Sequence, residues 1–186
     1  MNQFEYLIPF VGIIYALSAT DLLVSTHRLI IERENIKIHA VPIIWAIVAF
    51  VMIVNGWWGF FQVNNKIVLA NAGQLFLLSL LPLALFLIAS LSLPHKVKGE
   101  LCMWQYFSQN KTPLYLCHSI YLLLIPIVLS QFGDDVNVTQ TLRNIAFSAI
   151  FFGLIWLKHW AWHLIVSAIF LAGLIMSLFN QSISLS

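Results

Sequence analysis

One acid and six histidines are the residues of this sequence whose types and positions bear on chemistry. Asp21 lies inside a long apolar run and is the only acid placed well inside one. A carboxylate at the centre of a spanning helix costs about 2.5–3.5 kcal/mol on the insertion scale, so it faces protein or water rather than acyl chains. Ser18, Asp21, Ser25 and Arg28 are spaced 3, 4 and 3, which puts them on one stripe of a helix. Tyr15 lies one turn from Ser18 on the same side, and Thr20, Thr26 and His27 widen the polar surface. Such a stripe fits a water-lined path with an ion site. It also fits an interhelical hydrogen-bond network that holds a bundle together, worth about 0.6 kcal/mol per contact.

Milder polar spacings recur further along. Asn55, Gly59 and Gln62 are 4 and 3 apart, Asn71 and Gln74 are 3 apart, and Thr141, Asn144 and Ser148 share one side of a helix. His118 stands with Tyr115 and Ser119, where an imidazole either carries protons or is a satisfied histidine of the bundle. His159 and His163 are four apart and Ser167 continues their face. That spacing can hold a metal or turn an imidazole toward a haem. Residues 160–162 are Trp, Ala and Trp, so no HExxH motif is present. Neither GxSxG nor a phosphate-cradling glycine loop occurs, and Ser119 points about 100° away from its neighbour His118 on a helix. Cys102 and Cys117 form no CxxC or zinc spacing. The expectation is therefore no catalytic residue and no cofactor, with His159 and His163 the one candidate metal pair. The candidate pathway or ion-binding residues are Ser18, Asp21, Ser25, Arg28, Asn55 and His118.

The elements that would position these residues follow from composition. Of the 186 residues 61% are apolar and 9% are charged, and mean hydropathy is +0.91. An ordinary soluble domain carries about 25% charged residues. The totals exclude a soluble globular domain and a disordered chain. Nine Lys and Arg among seven acids leave no basic footprint for nucleic acid. Spans of about 20 residues fit six times, over 6–31, 40–61, 67–93, 113–132, 140–157 and 160–179. The expected fold is all-α, a single membrane domain, with residues 94–112 as a surface loop and Pro82 and Pro126 as kink positions. The fifth span is short, and five full spans with one partial span is the alternative. The N-terminus lacks a basic region before its first apolar run, so that run is expected to stay as a transmembrane helix. Connections after spans one, three and five hold seven basic residues, against Lys66 and Arg143 on the other side. The positive-inside rule then makes the first set cytoplasmic and turns both termini outward.

Ala19-Thr20-Asp21-Leu22-Leu23, with Trp45 early in the second span and Trp57-Trp58 near its end, resembles a group of small bacterial six-helix membrane proteins. More remotely, the arrangement is similar to the six-helix potassium channels of lysosomes and their bacterial relatives. Asp21 matches the acid of that family's Phe-Ser-Asp motif, and Asn71 with Leu80-Leu81-Pro82 matches its third helix. Ala19-Thr20 stand in place of Phe-Ser, and Gly59 and Phe60 stand where the family has histidines. The resemblance covers about residues 6–93 and implies a channel-like homo-oligomer in a bacterial inner membrane.

Two functional expectations follow. The first is an oligomeric protein conducting an ion or small solute, with Ser18, Asp21 and Ser25 facing the path and Arg28 near its cytoplasmic mouth. The second is a structural or sensory subunit that binds another membrane protein. A redox protein using His159 and His163 ranks behind both.

Overall fold

The computed structural model describes residues 3–62, 71–97, 99–131 and 137–180. It is an all-α bundle of α1 (Gln3–Ile31), α2 (Ala40–Gln62), α3 (Ala72–Ser92), α4 (Met103–Ser130), α5 (Val138–Leu154) and α6 (Trp160–Asn180). All of these except α5 are long and apolar enough to cross a membrane. Their backbone hydrogen bonds close within each helix, which is what a lipid environment demands. Helix α5 has 17 residues. That is about 25 Å of rise, one turn short of a hydrocarbon core of about 30 Å. Its end tightens into turns in which Ile155, Trp156 and Leu157 N–H groups donate to the carbonyls three residues back.

The expected loop over 94–112 is corrected, because α4 begins at Met103 and carries Pro113 in its interior. A proline there removes the donor that would meet the Gln109 carbonyl four residues back. Gln109 is exposed, so the freed carbonyl can be solvated near the membrane surface. Helix α3 starts at Ala72, where Asn71 accepts a hydrogen bond from the Gln74 N–H (3.0 Å) as its N-cap. Residues 67–70 of the third expected span lie outside the described residues, as do residues 132–136 between α4 and α5.

Three connections meet at one end, the loop face. Two-residue strands β1 (Ile36–Lys37) and β2 (Leu101–Cys102) pair in parallel, Ile36 opposite Leu101, and tie the α1–α2 connection to the α3–α4 connection. Gly99, with φ +67°, supplies the left-handed turn that leads into β2. The His39 ring lies 5.1 Å from Trp104 and 5.9 Å from Trp160, which joins the starts of α2, α4 and α6. At the opposite end the Gln74 side chain donates to Gln131 O (3.4 Å). Of the seven basic residues expected on one face, all but Lys98, which is not among the described residues, belong to the loop-face ends and connections.

Helix α3 is the central element. It packs on α1, α2 and α4, while α5 lies on α4 and α6 on α2. The buried core is Trp45, Met52, Leu85, Ile88, Leu114, Tyr115 and Phe151. Gly56 is required for the closest approach. A Cβ there would stand 2.9 Å from Tyr15 Oη and 3.1 Å from Leu85 Cδ1. An apolar cavity of about 280 Å³ opens beside this contact, lined by Gly12, Tyr15, Ala16, Ile53, Val54 and Trp57.

Candidate functional site

The close approach at Gly56 fixes a stagger between α1 and α3, since Tyr15 and Leu85 converge on it. Continuing that stagger brings His95, just past the end of α3, beside Ser25. Helix α3 therefore stops level with Leu22, and α1 runs on for nine residues, about 13 Å. The step so formed holds Asp21, Ser25 and His95. Asp21 Oδ1 is 3.7 Å from His95 Nδ1, and Ser25 Oγ is 3.4 Å from the same nitrogen. The His95 side chain is 49% exposed and that of Asp21 25%. Asp21 Oδ2 is buried and meets no hydrogen-bond partner among the described residues. The Tyr106 hydroxyl, brought in by the first turn of α4, shares its one hydrogen between Leu93 O (3.0 Å) and Leu91 O (3.3 Å).

The step is an acid–imidazole site and not a hydrolytic triad. A triad places nucleophile and acid on opposite ring nitrogens, whereas Ser25 and Asp21 both approach Nδ1. The arrangement suits a positive charge. The carbonyls that end α3 carry the negative end of its dipole, and Asp21 adds a carboxylate with one uncommitted oxygen.

The other expected site residues separate into distinct places. Ser18 is fully buried and donates to Ile14 O (2.8 Å) on its own helix, so its donor is spent internally. Arg28 sits in the last turn of α1, where a cation complements the helix dipole. The Asn55 side chain donates to Leu174 O (3.3 Å) between α2 and α6. His118 is fully buried on α4, with its Nδ1 2.8 Å from Leu114 O. A carbonyl only accepts, so Nδ1 carries the hydrogen. Nε2 is then a bare acceptor, and it is buried without a partner among the described residues. Its ring packs 4.7 Å from Trp45 and 5.6 Å from Phe151.

His159 and His163 do not share a helix face. Helix α6 begins at Trp160, and His159 precedes it, its Nδ1 accepting from the Ala161 N–H (3.2 Å). His163 is buried with both nitrogens engaged. Nε2 donates to Leu157 O (3.1 Å), and Nδ1 accepts from the Tyr115 hydroxyl (2.7 Å). Lys111 Nζ donates to the same Leu157 carbonyl (2.5 Å). Two donors thus close the chain just past the end of α5. Among the described residues no three His, Cys, Asp or Glu side chains gather as a metal-holding group.

Sequence periodicity found Asp21 and Ser25 but missed His95, which reaches Ser25 across 70 positions. It also missed the Tyr115–His163 pair, 48 positions apart. Spacing within one helix carries no signal for either. A signal does exist along α4, where Lys111, Tyr115 and His118 are spaced 4 and 3 on one side of the helix, Tyr115 and His118 buried and Lys111 half-buried.

The fold and this site define a polytopic helical membrane protein with an acid–imidazole pair at one end of the bundle. Comparison of the chain with protein-family models, curated proteins and solved structures finds no match.

Proposed function

We propose that this protein conducts a cation across the membrane, working as a homo-oligomer in a bacterial inner membrane with α1 along the path. The observation that carries the reading is Asp21 Oδ2, a buried carboxylate oxygen on a spanning helix without a hydrogen-bond partner among the described residues. A buried polar atom left unpaired costs about 1–3 kcal/mol, and more when charged. A bound cation removes that cost. Exposure of His95 on the loop-face side gives a route of entry.

The resemblance to six-helix potassium channels adds support through Asp21. Asn71, which the resemblance also matches, serves here as the cap of α3. The basic loop face is cytoplasmic in this reading, and both termini point outward.

Charge movement through proteoliposomes tests it, wild type beside Asp21→Asn. Cation flux in the wild type that falls in the variant is the expected result. Equal flux in the two removes Asp21 from the path, and absence of flux for every cation tried contradicts the reading.

A further inference from the structure

We infer that the cation taken up at Asp21 is a proton and not an alkali ion. The inference rests on the conducting reading above and names its ion. A dehydrated alkali ion needs a ring of oxygens in place of its hydration shell. The step offers the two oxygens of Asp21 and the Ser25 hydroxyl. The carbonyls of Leu91 and Leu93, at the end of α3, share the single hydrogen of the Tyr106 hydroxyl. One flank of the carboxylate is taken by the His95 ring, with Nδ1 3.7 Å from Oδ1. Imidazole nitrogen suits transition metals and protons, while hard cations take oxygen.

A proton requires one lone pair, and Asp21 Oδ2 has lone pairs that no described residue uses. The pair stores one proton in either of two forms. His95 is protonated against an ionised Asp21, or His95 is neutral beside a protonated Asp21. The two forms carry the same net charge and differ only in where the proton sits. A hydronium ion at the loop face supplies it and leaves as water. Among the described residues, the titratable or charged groups next along the same elements are Arg28 on the stripe of α1 and Lys96 in the connection after α3, and Tyr106 of α4 holds the α3 carbonyls beside them.

The test uses the full chain in planar bilayers, with a pH gradient across the membrane and opposed K⁺ and Na⁺ gradients. The reversal potential is expected to follow the pH gradient. Replacing K⁺ and Na⁺ by a large organic cation is expected to change the current less than twofold. Asp21→Asn is expected to lower the proton current at least tenfold, and Asp21→Glu to restore it to within about threefold of wild type. If Asp21→Asn does not elute as the wild type does, the reversal potential of the wild type and the His95→Gln current decide. A current that follows K⁺ or Na⁺ and ignores pH overturns the inference and leaves the conducting reading intact. No current with any cation overturns both.

Discussion

His163 has both ring nitrogens committed, one to Tyr115 and one to Leu157 O. The Leu157 carbonyl cannot donate, so the neutral ring carries its hydrogen on Nε2. His118 takes the opposite form, with hydrogen on Nδ1 against Leu114 O. Nitrogen-15 spectra of the two imidazoles are expected to show these two different tautomers; a shared tautomer would break one of the two assigned hydrogen bonds. Tyr115→Phe removes the donor to His163 and leaves a buried acceptor unpaired. The expected cost is about 1–3 kcal/mol of unfolding free energy in detergent. Stability equal to wild type would mean that the bond contributes nothing. At this scale the sequence was half legible. Asp21 and Ser25 declared themselves because helical spacing repeats locally. His95 sits in a connection with no period of its own, and only the packing of α3 on α1 brings it to Ser25.

Helices α1, α2 and α3 meet where a side chain is absent. Gly56→Ala would place a methyl 2.9 Å from Tyr15 Oη and 3.1 Å from Leu85. Overpacking of this kind costs about 1–3 kcal/mol. Thermal unfolding of the variant should fall accordingly, and adding Tyr15→Phe should recover part of the loss. Full additivity of the two substitutions would show that they do not touch. The same contact sets the stagger that leaves the step at Asp21, so Gly56→Ala is also expected to weaken cation flux. Asn71→Ala removes the cap of α3 and is expected to cost about 0.5–2 kcal/mol, read in the same unfolding experiment. Hydrophobic runs marked all six helices, because lipid imposes long apolar stretches with polar breaks. The start of α4 was misread because Pro113 resembles a first-turn proline. Its position, one turn after the exposed Gln109, lets a helix pass through it instead.

Across the whole molecule the loop face differs from the opposite end. It gathers Arg33, Lys37, Lys96, Lys111 and Lys158, and beside them the exposed Trp156, Trp160 and Trp162. Indole rings favour the headgroup level of a membrane. Lys111 reaches that level by extending along α4 to Leu157 O, its stem on apolar surface and its charge near water. The short α5 ends at the same face, which leaves the bilayer about one turn thicker than the helix there. A reporter fused after Ser186 is expected to read out on the side opposite the loop face. Signal from the loop-face side would mean that α5 and α6 do not both cross.

The arrangement that matters most is the step where α3 stops short of α1, because it leaves the Asp21 side chain a quarter exposed, and the proposed function requires that water from the loop face reach it there. Cysteine accessibility measures this directly. In a background with Cys102 and Cys117 changed to serine, Asp21→Cys is exposed to a membrane-impermeant thiol reagent from each side in turn. Lys37→Cys, exposed on the loop face, marks that side. Modification of Asp21→Cys from the same side as Lys37→Cys, and not from the other, is the expected result. Modification from the opposite side, or from neither, would contradict a loop-face entrance at Asp21.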